Sequence, residues 1–297
     1  MRRRLFSPIP STLVLFGFLP SFMLSIGVQG TELTLVNNCT HKIWPAILAN
    51  PGSTSLEQTG FELATHTSRT LQVPDRWVGR IWARNGCNFN KSGFGSCATG
   101  NCASGKIECE GAVDASPVTL VEFTIHDSYN VLYDVSLVYG FNLPVIVKPL
   151  SGAGTCGSAG CMTDLNAQCP AELRAANGLA CRSACMAFGT PDYCCRGKFG
   201  LHDTCKPSTY TVLWKLACPR SLITGYDDSR STFTCRGADY KVVFCPLHAA
   251  ASKKSGKKFT STAVITTEEP ENTGSGIIYS GSKLEVTGSQ SMPGPHG

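Results

Sequence analysis

The chain has 297 residues, 42% of them hydrophobic and 16% charged, with sixteen cysteines and a formal net charge of +5. Three of those positive charges are Arg2, Arg3 and Arg4, while residues 31–246 carry 18 basic against 17 acidic side chains. A near-neutral body without a dense Lys/Arg run excludes nucleic acid as a partner.

Residues 1–30 read as a secretory signal peptide. Arg2–Arg4 form a basic start, Leu13–Ile26 an apolar stretch, and Val28 and Gly30 the small residues expected before a cleavage site. The stretch is shorter than the ~20 apolar residues of a membrane span and is broken by Pro20, so no transmembrane segment is expected in the mature chain. The mature protein then starts near Thr31.

From Thr31 to about Val147, short alternating or β-branched segments lie between turn signals. Residues 32–36 end at Asn37-Asn38, residues 69–73 at Pro74-Asp75, and residues 80–84 at Asn85-Gly86. Further strands are predicted over 118–125, 133–138 and 143–147. Strands at this spacing, with Gly, Pro and Asn between them, indicate an all-β sandwich or barrel. Residues 156–218 differ: nine of the sixteen cysteines fall there, as do the best helix candidates, residues 170–174 and 180–188. Both helices are short and depend on the crosslinks around them. Strand character returns at 232–235 and 240–245. The tail, residues 247–297, is rich in Ser, Thr, Gly, Lys and Glu, and is expected to be disordered because it has too little apolar area to offset ordering.

All sixteen cysteines lie between Cys39 and Cys245, downstream of the signal peptide, which in an oxidising compartment predicts up to eight disulfides. No Cys/His array has zinc-finger spacing, so no metal is expected. Counting alone leaves the pairing open among roughly two million connectivities. Two sequons, Asn38-Cys39-Thr40 and Asn90-Lys91-Ser92, are candidate glycosylation sites, with Asn90 the better acceptor because Asn38 ends a strand beside a crosslinked cysteine. No G-x-S-x-G elbow and no phosphate-binding glycine loop is present, which leaves no nucleophile motif and no cofactor to expect.

The run Gly93-Phe94-Gly95-Ser96-Cys97-Ala98-Thr99-Gly100-Asn101-Cys102, with Cys109 following, resembles the signature of the plant pathogenesis-related thaumatin-like proteins, which usually have aspartate at Asn101. Residues 78–84, 133–142, 191–195 and 240–246 are similar to further segments of that family, so the resemblance covers residues 31–246. It implies a flattened β-sandwich of about eleven strands, a disulfide-rich and partly helical subdomain over about 156–218, and a small loop subdomain over 87–109. Carried over by cysteine order, it pairs Cys39 with Cys245, Cys87 with Cys97, Cys102 with Cys109, and Cys156 with Cys235. It also pairs Cys161 with Cys218, Cys169 with Cys181, Cys185 with Cys194, and Cys195 with Cys205.

The resemblance further implies a cleft between the sandwich and the disulfide-rich subdomain, lined by Arg80, Glu122, Asp134, Tyr139 and Asp228. Tyr139 stands where the family usually has a third aspartate. Carboxylates accept hydrogen bonds from sugar hydroxyls, and a pair can divide into a protonated acid and an ionised partner. Glu122 is the expected proton donor, with Asp134 or Asp228 as base or nucleophile. Arg80 and Glu122 could equally form a structural ion pair. Trp82 and Phe141 are expected in the core, while Tyr139, if it reaches the cleft, offers a ring that could stack on a pyranose.

The expected function is that of a secreted, monomeric antifungal defence protein of the apoplast or cell wall, binding β-1,3-glucan or another wall polysaccharide. The alternatives are a weak endo-β-1,3-glucanase using the same cleft, and a protein-inhibitory or signalling module.

Overall fold

The structure is a computed structural model describing residues 30–112, 117–127, 129–226 and 230–246. The tail beyond Pro246 and all of the expected signal peptide except Gly30 lie outside the described residues.

In β1 (Thr31–Asn37) the side chains alternate as period two demands, with Leu33 and Leu35 fully buried and Glu32 exposed. The strand lies between β3 (Ser68–Val73), antiparallel to it, and β14 (Tyr240–Phe244), parallel to it. Beyond β14 come β8 (Val145–Pro149) and β10 (Ala159–Cys161), completing a five-stranded sheet. The parallel pair brings the two ends of the fold together, and Cys39 bonds to Cys245 just past the last paired residues, Asn37 and Phe244.

The larger sheet runs in the order β2 (Trp44–Ala49), β4 (Val78–Phe89), β6 (Leu120–Asp127), β7 (Asn130–Ser136), β13 (Thr232–Arg236) and β9 (Ala153–Gly154), with β5 (Gly95–Thr99) on the far end of β4. Odd-numbered residues of β6 and β7 point at the smaller sheet. Val121, Phe123, Ile125, Val131, Tyr133 and Val135 meet Leu33, Leu35, Val145, Val147, Val242 and Phe244 in one core. Each fully buried side chain of this size contributes about 1.5–3 kcal/mol. Even-numbered residues therefore face outward, and this parity positions the candidate site.

Three expectations are corrected here. β4 does not end at Asn85-Gly86: it runs on to Phe89, exchanging β6 for β5 as its partner. Gly86 takes φ +63° at the exchange, so the residue marks a kink within the strand and not a turn after it. The 170–174 candidate forms only a 3-10 turn at Ala171–Leu173, and the 180–188 candidate divides into β12 (Ala180–Cys181), paired with β11 (Arg174–Ala175), and α1 (Ala184–Phe188).

The longest helix among the described residues, α2 (Thr209–Ala217), lies in a stretch without a predicted element, and Ser208 caps it by accepting from the Thr211 amide. The described residues hold fourteen strands, and β9–β12 are two or three residues long. Eight disulfides join the pairs Cys39–Cys245, Cys87–Cys97, Cys102–Cys109, Cys156–Cys235, Cys161–Cys218, Cys169–Cys181, Cys185–Cys194 and Cys195–Cys205. No described helix is long and apolar enough to cross a membrane.

Candidate functional site

Arg80 on β4, Glu122 on β6 and Asp134 on β7 stand directly opposite one another, in a register line that continues to Leu48 on β2 and Thr232 on β13. All lie on the outward face. Directly opposed residues hold their Cβ atoms about 4.5–5.5 Å apart, so Glu122 is a neighbour of both Arg80 and Asp134, while those two are separated by a full strand.

That order accounts for the titration of the row. Asp134 is pushed up to about 7, mainly by burial and then by the adjacent Glu122. Glu122 is also raised by burial, but the Arg80 charge and a hydrogen bond with Ser136 oppose the rise. Arg80 acts on the carboxylate beside it and not on the one beyond.

Arg80 and Glu122 form no ion pair, and the Arg80 guanidinium donates from Nη2 to Asn50 Oδ1 at 3.4 Å. Arg80 Nε and Asp134 Oδ1 are buried polar atoms with no protein partner. Unpartnered buried polar atoms are rare in folded chains and call for a water, ion or ligand to complete them.

The floor of the row continues in both directions along the strands. Towards the open end, Val78, Thr124, Leu132 and Thr234 form the next register line on the same face. Towards the other end, Trp82 packs against Leu120, Cys102 and Cys109, and its indole donates to the Gly100 carbonyl at 2.7 Å. Trp82 and Phe141 are both buried, so neither offers a face to a ligand.

Beside the end of β7, the segment around Leu222 pairs with Val135 and Leu137 in parallel fashion. Asp228, six residues further along the sequence, lies outside the described residues. Val138, just past β7, lines a small pocket with Ser183, Tyr193 and Thr211 from the disulfide-rich segment and Ile223 and Thr224 from the stretch after it. Tyr139 is not in the acidic line: it sits in the turn closed by Gly140 N–H and the Leu137 carbonyl, half-exposed, its carbonyl accepting from Val118.

Ser136 and Asn50, which hold Glu122 and Arg80, were not singled out by sequence. Ser136 is two residues past Asp134 on one strand, so period two could have placed it on the same face. Arg84 is a second omission. It is fully buried, donates to the carbonyls of Trp44 and Ile107 at 3.1 and 2.6 Å, and is lowered to about 10 by its burial. Nearby, the Glu108 carboxylate accepts from the Thr59 and Gly60 amides at 2.7 and 2.9 Å. A Cβ on Gly60 would stand 2.0 Å from the Ile107 carbonyl oxygen, so only glycine lets the loop close on Arg84. These residues brace the loop after β5.

The Thaumatin family model matches residues 37–246. The chain belongs to the thaumatin family. It is 50% identical over 229 residues to Thaumatin-like protein 1 of Arabidopsis thaliana, covering 74% of this chain and 88% of the relative. It is 46% identical over 237 residues to Pathogenesis-related thaumatin-like protein 3.5 of Cryptomeria japonica, covering 79% and 95%. It is 43% identical over 242 residues to a Prunus avium protein named Glucan endo-1,3-beta-glucosidase, covering 79% and 99%.

Proposed function

We propose that this chain is a secreted wall-directed defence protein that binds β-1,3-glucan through Arg80, Glu122, Asp134 and Asp228, with weak hydrolysis at most. The observation that carries the reading is the single register line of Arg80, Glu122 and Asp134, with Arg80 Nε and Asp134 Oδ1 unpartnered within it. Such a line offers a glycan both donors and acceptors at the spacing of a sheet. The names of the Cryptomeria and Prunus relatives support the defence and glucan parts of the reading. Eight disulfides suit an extracellular setting, and the exposed Asn90, whose Oδ1 accepts from the Ser92 and Phe94 amides, is the favoured glycan acceptor over the half-buried Asn38.

Any hydrolysis divides the carboxylates in the reverse of the order expected from sequence. Burial raises both carboxyls, Asp134 to about 7, and only at Glu122 do Arg80 and Ser136 oppose the rise, which favours Asp134 as the proton donor and Glu122 as the nucleophile or base. Tyr139, outside the line, adds no third charge there.

The test is retention on insoluble β-1,3-glucan together with release of reducing sugar. Glu122→Gln should weaken retention, Asp134→Asn should abolish any sugar release, and Tyr139→Asp should leave retention in place. A native chain that is not retained at all would sink the reading.

A further inference from the structure

Three rings meet on the disulfide-rich segment. Phe188 at the end of α1 has its centroid 5.0 Å from that of Tyr193 and 5.6 Å from that of Tyr210 on α2, and the two tyrosines are 6.0 Å apart. The planes are tilted by 37° to 59°. Phe188 is 38% exposed, whereas Phe123, Phe141 and Phe244 are at 1% or less, and both tyrosines are only part-buried. A ring recruited for core stability would be sealed like those three.

The trio is nonetheless held in place. The Tyr210 hydroxyl donates to Glu172 Oε1 at 2.7 Å, and the Cys185–Cys194 disulfide joins α1 to the residue after Tyr193. Thr190 donates to the Asp192 carboxylate beside it. Glu172 and Asp192 thus put exposed acceptors at the margin of an apolar surface. A pyranose has the matching form, with a C–H face and a rim of hydroxyls.

Position supplies the second observation. Tyr193 lines the same small pocket as Val138, which sits in the turn two residues past the end of β7, the strand that carries Asp134 and Ser136. Tyr193 thus belongs to both the trio and the pocket, and the pocket reaches the turn that follows the acidic strand.

We propose that Phe188, Tyr193 and Tyr210 form an extension subsite that stacks on sugar units of a β-1,3-glucan chain whose other units occupy the acidic line. This rests on the glucan reading above. Tilted rings suit a chain that turns from unit to unit, as a 1,3-linked one does, and not the flat ribbon of a β-1,4-glucan. The subsite is preorganised by its disulfide and hydrogen bonds, so little ordering cost falls on binding.

The test is calorimetry on the secreted, fully oxidised chain with β-1,3-gluco-oligosaccharides from trisaccharide to octasaccharide, and with the β-1,4-linked series as a control. The native chain should bind the octasaccharide about tenfold tighter than the trisaccharide, a factor equal to about 1.4 kcal/mol. In Phe188→Ala/Tyr193→Ala that ratio should fall to about one, and the β-1,4 series should show no gain with length in either protein. Phe188→Ala alone, at an already exposed ring, should lower the ratio and decides the matter if the double variant is not secreted. An unchanged ratio in the variants overturns the subsite and leaves the acidic line standing, and is the result expected of a patch made to dock a protein. No binding at any length overturns the glucan reading and this one with it.

Discussion

On β6 and β7, six successive inward side chains from Val121 to Val135 are exposed by 1% or less, and they order the sheet by packing on its partner. Between Cys156 and Cys218 the regular elements are two to nine residues long, and the buried cluster around Leu137, Leu173 and Trp214 includes four half-cystines, Cys161, Cys169, Cys181 and Cys218. Helices and strands that short do not persist in water by themselves. The sandwich gets its order from buried area, and the segment from covalent closure. The difference leaves the segment free to expose Phe188, Val212, Leu213 and Leu216, which a packed core could not spare. The proposed glycan path runs from one region to the other.

The sandwich should be most vulnerable to a cavity. Phe123→Ala removes a ring packed on Tyr133 and Tyr240, at 6.0 and 5.3 Å, and should cost about 3–5 kcal/mol by chemical denaturation of the oxidised protein. The segment should be most vulnerable to loss of a crosslink. Replacing Cys161 and Cys218 with alanine reopens a separation of 57 residues and should cost about 2–4 kcal/mol. Hydrogen exchange sharpens the contrast: amides of residues 165–217 should lose protection in that variant while those of β6 and β7 keep it. Equal loss in both regions would show that the two are one cooperative unit.

A smaller effect is expected at the acidic line. The Asp134 carboxyl titrates near 7 in the folded chain against an ordinary 3.8, so the folded state holds this proton more tightly than the unfolded one. The cost of ionising it is absent below pH 3.8, grows as pH rises, and is fully felt above about 7. Asp134→Asn should therefore raise stability by roughly 1–3 kcal/mol at about pH 8 and leave it nearly unchanged at about pH 3. A gain of equal size at both pH values would mean that packing, and not charge, is responsible. At the bottom of the range, Leu216→Ser, at a side chain 61% exposed on α2, should change stability by less than about 0.5 kcal/mol.

Legibility followed the same division. Residues 32–36 and 69–73 could be read because one face is buried and the other solvated, which writes period two into the residues. β2 could not: Pro45 stands at its second position and four of its six residues are buried, so alternation is lost. α2 begins Thr-Tyr-Thr-Val, residues that favour strands, and is helical because Ser208 and Thr211 cap each other and Trp214 is buried beneath it. At the site, the identity of Arg80, Glu122 and Asp134 came through family resemblance. Their register did not, since strand pairing between residues 42 apart, as Arg80 and Glu122 are, leaves no local mark. Nor did the order of their charges, which depends on which strand lies between which.

The bond between Cys39 and Cys245 also changes what a terminus means for this protein. Between those two cysteines the backbone is a closed circle, and exopeptidases trimming from either direction arrive at the same junction, where Asn37 lies beside Phe244. A single endoproteolytic cut anywhere on the circle opens it to a line and sheds nothing. Two cuts are needed before a piece can leave, and even then seven internal bonds must fail to hold it. A nicked population would keep its mass on a non-reducing gel and come apart only once reductant is added.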